Sequence, residues 1–597
     1  MNPSRRLCLT QIVVCRGMNR VSQHMRAWFA NLLRSQPTGE PLSRRIYQNL
    51  HLRQRVDVFS AISPSSHRYS VGGGTMWSTK SLAVLRNGVR FTLTICMVVS
   101  SCLAQKDPGV RKGPPGAGDP LRGLTEIELS MFNEGLQRAL QLEAVCDDCA
   151  DRTLGSYIDP RKGKLVYQTN SAGLGTRFNG DQCLGCHNQP ALGGSGGFMV
   201  PNPQDPPNRQ RTPENPMFDL IPHRKGASNT VPSFITQYGP IREVRFVSKP
   251  NGTRDGGVHE LFTVVGRSDV FPAGQANTCT IRALPPTDFE TQYRNGNLRF
   301  RIPLQLFGLG ILDGIQDREI LMRHQETAEV RRALGIGGVP NRSGNDGTIA
   351  RFGWKAQNKS ITMFAGEAYN VEMGITTDLF PQAVDESPDC TADKSEPNDI
   401  QRTDPDDSRN QSFYNPLHEI ADWVMFGLFM RFLDAPAPVP FTESARRGQQ
   451  LFGTDASNPG VGCVLCHTAT MVTPPRSETH ALQSVTAHAY SDLLLHHMGS
   501  GLADDITQGL ASGDMFRTTP LWGIGQRMFF LHDGRTDDLL QAIAAHESPG
   551  TPCFNNVGTP SASSRCYGPS EANGVIRNFN ALSASDKQAI LDFLRSL

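Results

Sequence analysis

The chain has 597 residues, of which 57 are glycine, 41 are proline and 14 are cysteine, and it is 38% hydrophobic and 19% charged. That length exceeds what one compact core can hold and predicts two or three domains, while the hydrophobic content excludes disorder throughout. The glycines have no triplet period, and no long apolar run occurs in the body of the chain. Collagens and polytopic membrane proteins are therefore excluded.

The formal net charge of +2 conceals an uneven distribution. Residues 1–75 contain 11 Arg and no Lys against only two acidic side chains, Glu40 and Asp57. Residues 105–597 instead contain 45 basic and 55 acidic side chains. This acidic body argues against nucleic acid as a partner and favours small molecules or basic redox proteins.

Residues 76–104 have the pattern of a secretory signal peptide. Met76 begins a region with three basic side chains, and an uncharged apolar stretch ending in small residues follows at Phe91–Ala104. This stretch has 14 residues, too few to span a bilayer. A buried helix or strand is the alternative, but it leaves the basic flank unexplained. We expect residues 1–75 to be an upstream extension outside the mature protein, with a genuine basic leader as the alternative.

An export signal places the mature chain in the periplasm or outside the cell, where unpaired cysteines tend to form disulfides. The segment Val99–Cys102 resembles a lipoprotein cleavage box, so we expect membrane association only if Cys102 is lipidated. Three disulfide pairings are hypotheses: Cys146 with Cys149, Cys553 with Cys566, and Cys279 with Cys390.

Capping boxes and apolar periodicity predict the main helices. Thr125-x-x-Glu128 begins a helix whose apolar stripe continues to about Val145. Further helices are predicted around Ile420–Leu433, at Thr442–Phe452 and at Ser585–Leu597, the last from the capping box Ser585-x-x-Gln588. Alternating apolar residues predict short strands at Val244 and Phe246, Val258–Val265, and Arg299–Leu306.

Loops and a boundary follow from composition. Gly-, Pro- and Asn-rich stretches at 188–216 and 334–347 predict loops, and the Asp-, Pro- and Ser-rich stretch 381–411 resembles a linker or a long surface excursion. The proline-rich segment Ala435–Pro440 predicts a boundary between an N-terminal domain of residues 105–437 and a C-terminal domain of residues 438–597.

One short motif, C-x-x-C-H, occurs twice and is the attachment signature of c-type haem. Two thiols on one helical turn can add to the vinyl groups of one porphyrin, and the adjoining imidazole then reaches the iron. Zinc sites are disfavoured because zinc requires four ligands at each site. The sequence therefore predicts two covalently bound c-type haems, held by Cys183, Cys186 and His187 and by Cys463, Cys466 and His467.

The surroundings of both motifs resemble the di-haem oxidoreductase/peroxidase family, whose members are labelled predicted thiol oxidoreductases or peroxidases. The family is similar more distantly to bacterial di-haem cytochrome c peroxidases. The resemblance covers roughly residues 120–597. It rests on motifs spread over that span: Phe132–Gly135, Phe178–His187, Arg351–Gln357, Phe364–Met373, Tyr490–Met498, Arg517–Trp522 and the H-D-G segment Leu531–Arg535.

The resemblance implies a mainly α fold with two cytochrome c-like haem domains, one reacting and the other relaying electrons. The sequence agrees on the number of domains, because a helix pattern precedes each C-x-x-C-H motif. The long segment between the motifs exceeds a minimal cytochrome module. We therefore expect a loop-rich, partly β insertion there, within the N-terminal haem domain.

The second ligand of the C-terminal iron is predicted from the same resemblance. In the related peroxidases this ligand lies about a dozen residues after the H-D-G segment, a position that His546 occupies here. Met498 is the alternative, since a thioether also ligates c-type haem. His496 and His497 adjoin Met498, so a turn presenting one of these three residues is also considered. The alternative for His546 is an ordinary histidine on a helix surface, with no role as an iron ligand.

For the N-terminal iron, His223 and His259 are the available imidazoles, and His259 is preferred over His223, with an ordinary loop histidine as the alternative. If this site is instead open, peroxide could bind there and would need a nearby acid or base. Asp313 is the candidate for this acid or base, and a simple helix-cap role is the alternative. The family likeness offers Trp354 as an indole between the haems that relays an electron, although packing alone also explains a buried Trp.

These predictions favour an exported, peroxidase-like di-haem oxidoreductase that receives electrons from a small donor protein and reduces peroxide or another small oxidant. The enzyme alternative is a di-haem oxygenase or substrate oxidase. The non-enzyme alternative is a periplasmic electron-transfer cytochrome with both irons six-coordinate. Spin state separates these classes, because a high-spin resting haem has a site for substrate.

Overall fold

The computed structural model describes residues 105–141, 143, 156–159, 164–167, 175, 177–180, 182–197, 232–236, 239–263, 287–382, 399, 420–550 and 566–597. The predictions for the upstream extension, the signal peptide and Cys102 lie outside these residues, as does His223. Each of the three predicted disulfide pairs also includes at least one cysteine outside them.

Helices predominate in the described part of the chain. The twelve α-helices there are α1 Glu126–Ala139, α2 Cys183–Cys186, α3 Phe289–Arg294, α4 Leu309–Gly314, α5 Asp317–Glu326, α6 Ala328–Leu334, α7 Ile361–Met373, α8 Asp422–Phe432, α9 Glu443–Phe452, α10 Leu539–Ala544, α11 Asn573–Ala581 and α12 Ala584–Ser596. Short 3₁₀ helices lie at Cys463–Leu465, His480–Leu482 and Ile524–Gln526.

The strands are short and form small antiparallel sheets. They are β1 Ser156–Asp159, β2 Lys164–Tyr167, β3 Arg177–Phe178, β4 Glu243–Phe246, β5 Val258–His259, β6 Phe262–Thr263, β7 Leu298–Arg301, β8 Asn341–Arg342, β9 Ile349–Ala350, β10 Met471–Val472, β11 Thr486–Ala487, β12 Leu495–His497 and β13 Met515–Arg517. β4 is the centre of a three-stranded sheet in the order β5-β4-β7, in which Val244 faces His259 on one side and Phe300 on the other. The strands predicted around Val244 and Arg299 are thus confirmed, and the fold is mixed rather than purely helical.

Local caps set the helix ends, with two differences from the prediction. The capping box of Thr125 and Glu128 begins α1 as expected, but α1 ends at Ala139, before Val145. The terminal helix begins earlier than predicted, because the N-cap is Ser583, whose hydroxyl accepts the Asp586 backbone N–H. A serine can cap a helix when an acidic or amide residue lies three positions later. Ser583 and Ser585 both meet this condition, so they compete for the N-cap position.

Two large apolar clusters are built around the two C-x-x-C-H motifs. In the first, α1, α7 and α8 pack together near Cys183 and Cys186. In the second, α9 and α12 pack together near Cys463 and Cys466. The clusters also take residues from across the predicted boundary: Leu494 belongs to the first and Ile336 to the second, so the boundary at 437–438 stays a prediction.

Close helix crossings depend on two glycines. A Cβ at Gly135 of α1 would lie 2.4 Å from the Met425 carbonyl oxygen on α8, and one at Gly448 of α9 would lie 1.9 Å from the Ala589 carbonyl oxygen on α12. No carbon atom tolerates such distances, so glycine lets the paired helices approach.

In the described residues, no helix is long and apolar enough to cross a membrane.

Candidate haem sites

The first C-x-x-C-H motif forms one turn of helix and directs its histidine inward. Cys183 and Cys186 begin and end α2 and are not bridged to each other, and burial raises the pKa of Cys183. The His187 Nδ1–H donates to the Leu304 carbonyl oxygen at 2.8 Å. This bond fixes the proton on Nδ1 and leaves Nε2 as the nitrogen with a lone pair, which is the state a metal requires.

The second motif has the same arrangement on a 3₁₀ turn. Cys463 and Cys466 are again unbridged, and the His467 Nδ1–H donates to the Tyr490 carbonyl oxygen at 2.9 Å. Tyr490 has a positive φ of 50°, a conformation that a non-glycine residue adopts only where surrounding contacts impose it. Burial lowers the pKa of His467 to about 4, so its imidazole is neutral at physiological pH.

Each motif opens onto a cavity, of about 190 Å³ at the first motif and about 220 Å³ at the second. The N-terminal cavity is lined by Cys183, Cys186 and His187, and the C-terminal cavity by Cys463, Cys466 and His467. Two cysteines without a disulfide, a neutral imidazole with Nε2 available and a largely apolar wall fit a covalently attached haem.

Trp354 joins the two cavities. Among the described residues it alone lines both, and its indole N–H donates to the Ile302 carbonyl oxygen at 2.9 Å. The Ile302 backbone N–H in turn donates to the His532 carbonyl oxygen at 2.8 Å. The His532 ring meets the Trp354 ring edge to face, with centroids 6.3 Å apart. Trp354 therefore lies in the wall that the two cavities share, and its role as an electron relay stays a prediction.

The C-terminal cavity contains further potential iron ligands. His546, just after α10, lines it, and the His546 Nδ1–H donates to the Ala542 carbonyl oxygen at 2.8 Å, so that Nε2 again carries the lone pair. Burial lowers the pKa of His546, and His546 is close enough to His467 to contribute to lowering the pKa of His467. Met498 also lines this cavity, beside Trp354 in a small apolar cluster.

The two histidines next to Met498 are engaged elsewhere. They lie on strand β12 rather than on the turn considered above. Both ring nitrogens of His496 bond to carboxylates, Nε2 to Asp492 at 3.0 Å and Nδ1 to Glu571 at 2.7 Å. His497 has a half-exposed side chain whose Nδ1 bonds to Asp514. His496 lines the cavity with both ring nitrogens occupied, and His497 does not line it, so His546 and Met498 are the more available donors there.

Two predicted residues of the N-terminal site do not line either cavity. The His259 Nε2 bonds to Asp255 at 3.1 Å, and its ring stacks on Phe246 with centroids 3.6 Å apart. Asp313, in the last turn of α4, accepts a hydrogen bond from Arg431 at 3.2 Å. Neither is among the described residues that line a cavity, and their roles as ligand or acid stay predictions.

The N-terminal cavity is lined by carboxyl groups that were not predicted from the sequence as site residues. Glu372 on α7 accepts a hydrogen bond from the Asn179 amide at 2.8 Å and interacts directly with Glu243 of β4. Burial, together with Glu243, raises the pKa of Glu372 well above its usual value. Burial also opposes the charge of Glu243, but Arg245 outweighs it and lowers the pKa of Glu243.

This pair holds one carboxylic acid beside one carboxylate. A signal was present in the sequence, because Glu367 and Glu372 are acidic residues on the otherwise mostly apolar helix α7. Glu243 could not be recognised as a partner, since it lies 129 positions earlier in the chain.

Known proteins provide an independent comparison. Residues 289–553 match the model of the family described as "Di-haem oxidoreductase, putative peroxidase". The match includes the second C-x-x-C-H motif, Trp354, Glu372 and His546, and it begins after the first motif. No curated protein matches the chain.

Two solved structures share low similarity with the chain. One is a MauG-like protein associated with microbial copper homeostasis, with 20% identity and a TM-score of 0.19 over 30% of this chain and 52% of that one. The other is the hydrazine synthase of Kuenenia stuttgartiensis, with 17% identity and a TM-score of 0.18 over 31% and 56%. The chain thus spans about half the length of each, and the TM-scores are too low to indicate a shared fold. Through residues 289–553, the chain is therefore similar to the family of di-haem oxidoreductases.

Proposed function

We propose that the protein is an exported di-haem c-type oxidoreductase with peroxidase-like chemistry. Peroxide or a similar small oxidant is reduced in the N-terminal cavity, with electrons received through the C-terminal cavity. One haem is attached at Cys183 and Cys186 with His187 as iron ligand, the other at Cys463 and Cys466 with His467. The observation that carries the proposal is the difference between two cavities that share one wall residue, Trp354.

The difference lies in the iron ligands that each cavity offers. Among the described residues lining the N-terminal cavity, His187 is the only histidine, so no second imidazole competes with a substrate there. The C-terminal cavity offers His546 in addition to His467, both with Nδ1 bonded to a carbonyl and Nε2 available. A six-coordinate haem suits electron transfer, and an open site suits catalysis.

A bound haem supplies a redox-active iron at which a peroxide O–O bond can be cleaved. Reduction of hydrogen peroxide consumes two electrons and two protons and releases two water molecules. Within the N-terminal cavity, the Glu372 carboxyl group can give a proton to the departing oxygen, and the Glu243 carboxylate can accept one. The Asn179 amide holds Glu372 in place through its 2.8 Å hydrogen bond.

Electrons reach the reacting site from a separate donor. Trp354 presents an indole ring to both cavities, and its N–H is held by the Ile302 carbonyl oxygen. The acidic composition of residues 105–597 suits a basic small electron-donor protein. The signal-like segment 76–104 supports export to the periplasm, and membrane attachment follows only if Cys102 is lipidated.

Mass spectrometry tests the cofactor part of this proposal. The protein, expressed from Met76 in cells with a haem-maturation system, should carry two covalent haem additions on a chain beginning near residue 102 or 105. Variants Cys183→Ser/Cys186→Ser and Cys463→Ser/Cys466→Ser should each lose one addition. A chain without haem, or one that keeps its N-terminal segment, would contradict attachment or export respectively.

Spectroscopy and rapid mixing test the reaction. The resting protein should contain one high-spin and one low-spin haem by paramagnetic resonance. Stopped-flow mixing of the half-reduced protein with hydrogen peroxide should change the Soret band within the mixing experiment. Two low-spin haems with no Soret change would favour an electron carrier. A response to dioxygen with reductant, and none to peroxide, would favour an oxygenase.

A further inference from the structure

Arg527 is a buried cation without an acidic partner among the described residues. It lines the C-terminal cavity and lies 5.9 Å from the centroid of the Trp354 ring. The Arg527 Nε and Nη2 atoms are buried and donate to no acceptor in the described part of the chain. Burial alone lowers the pKa of Arg527 to about 10, with no neighbouring carboxylate raising it.

A second arginine, Arg517, lines the same cavity and is also fully buried. The Arg517 Nε donates to the Gly353 carbonyl oxygen and its Nη1 to that of Thr518, which are uncharged acceptors. The negative charge of Asp492 opposes the lowering of the Arg517 pKa by burial, but Asp492 also bonds to His496.

The acidic side chain that lines this cavity already has other hydrogen-bond partners. Glu571 is the one acidic residue among those described as lining it, and it bonds to the His496 Nδ1 at 2.7 Å and to the Gly337 backbone N–H at 3.0 Å. Burying a guanidinium without a counter-charge is strongly unfavourable, so the two arginines indicate an anionic occupant.

We propose that Arg527 and Arg517 bind the two propionate carboxylates of the haem attached at Cys463 and Cys466, and that their charge raises its reduction potential. The proposal rests on the haem attachment of the proposed function but not on its peroxidase chemistry. A planar guanidinium matches a carboxylate geometrically, and haem carries two such groups at the edge opposite its vinyl groups. The cysteines and the arginines line the same cavity, so both ends of the macrocycle have partners.

A consequence for electron flow follows from Trp354. Because Arg527 lies over the Trp354 ring, the propionate edge would face the wall shared with the N-terminal cavity. Positive charge near an iron favours its reduced state, since ferrous haem carries one positive charge less than ferric haem. Arg527 would thus help the C-terminal haem to accept an electron from a donor.

The test is a redox titration of the intact holoprotein, followed by absorption and paramagnetic resonance so that the two haems are resolved. Arg527→Gln should raise the ratio of oxidised to reduced C-terminal haem about tenfold at a fixed ambient potential, which corresponds to about 59 mV for one electron. Arg527→Lys, which keeps the charge, should shift this ratio less. Arg577→Gln removes an exposed arginine of α11 and is the matched control, with no expected shift.

Haem content by mass spectrometry completes the test. Loss of haem from Arg527→Gln with full retention in Arg527→Lys would also support a carboxylate-binding role. A wild-type potential in both Arg527→Gln and Arg517→Gln, at full haem content, would overturn the proposal, as would an equal shift in Arg577→Gln. Haem loss from both Arg527 variants, with Arg517→Gln at the wild-type potential, would overturn it too. If the arginine variants show the expected shifts in reduction potential but the wild-type protein does not turn over peroxide, the peroxidase proposal alone is contradicted.

Discussion

Each motif histidine is oriented by a carbonyl group that the motif does not contain. His187 is held by Leu304, which lies 117 residues later, and His467 by Tyr490, 23 residues later. Such bonds select the tautomer with the proton on Nδ1 and raise the basicity of the ligating nitrogen. The motif therefore locates each ligand, while the folded chain prepares it.

Glu372 is the residue whose replacement should most directly affect peroxide cleavage. Glu372→Gln keeps the shape and the hydrogen-bonding capacity of the side chain but removes its transferable proton. We expect the rate of reaction with peroxide to fall about 10²–10⁴-fold, the usual contribution of a general acid. Stopped-flow measurement of the Soret change provides the rate. Glu367→Gln, on the same helix and in the same cavity, is the matched control, and an equal loss there would remove the special role of Glu372.

The pH profile provides a second readout for the same group. Burial and Glu243 raise the pKa of Glu372 well above its usual value, so the carboxyl group is protonated at pH values where an ordinary glutamate is ionised. As the pH rises through this elevated pKa, the proton donor is lost and the rate should fall. The profile of Glu372→Gln should lack this alkaline decline. A decline of the same shape in both proteins would assign it to another group.

His546 and Met498 can be separated by their effects on the C-terminal haem. His546→Ala should remove the low-spin signature by taking away the second iron ligand, because Nε2 of this histidine is available in the cavity. His532→Ala should change it less. Absorption and paramagnetic resonance spectra record the change. If the near-infrared charge-transfer band survives His546→Ala and disappears in Met498→Ala, the thioether is the ligand.

At the scale of elements, the second core depends on how closely α9 approaches α12. The crossing brings Gly448 against the Ala589 backbone and lets Phe452 pack against Phe593, whose ring centroids lie 5.4 Å apart. Phe452 also lines the C-terminal cavity. The helix pair thus supports the wall of the haem site directly.

Gly448→Ala should destabilise this pair. The added Cβ would lie 1.9 Å from the Ala589 carbonyl oxygen, so the helices must separate. Overpacking of this kind costs about 1–3 kcal/mol. Urea denaturation followed by circular dichroism measures the free energy of unfolding. Gly344→Ala is the control, because nothing lies within 4 Å of a Cβ there. Equal stability of the two variants would show that α9 and α12 adjust without cost.

At the scale of the whole molecule, the two cavities at the C-x-x-C-H motifs meet at one tryptophan. The Trp354 indole is buried and oriented by its bond to Ile302, and the Ile302 N–H is in turn bonded to His532 of the H-D-G segment. Residues from both halves of the sequence therefore build the wall between the sites.

Trp354→Phe should slow electron movement between the haems while leaving both of them attached. The smaller ring loses the indole N–H bond to Ile302 and leaves a gap in the shared wall. Stopped-flow mixing of the half-reduced protein with peroxide should show slower oxidation of the C-terminal haem. Trp522→Phe is the control, because Trp522 is buried but lines neither cavity. Equal rates in all three proteins would contradict a relay through Trp354.

The sequence by itself determined the features that depend on neighbouring residues. Both C-x-x-C-H motifs lie within five residues, and a single turn of chain is enough to place two thiols and an imidazole together. The start of α1 followed from the capping box of Thr125 and Glu128 in the same way. His546 was predicted by its distance along the chain from the H-D-G segment, and the structure brings it to the cavity.

Only the tertiary structure decided which acid faces the N-terminal cavity. His259 and Asp313 were plausible from sequence, but Asp255 with Phe246 engages the one and Arg431 the other. Glu372 and Glu243 come together because α7 and β4 meet at the cavity. The pair of Glu372 and Glu243 and the two buried arginines of the C-terminal cavity arise from contacts between distant segments. Their environments, and hence their protonation and charge balance, are set by burial that no local pattern contains.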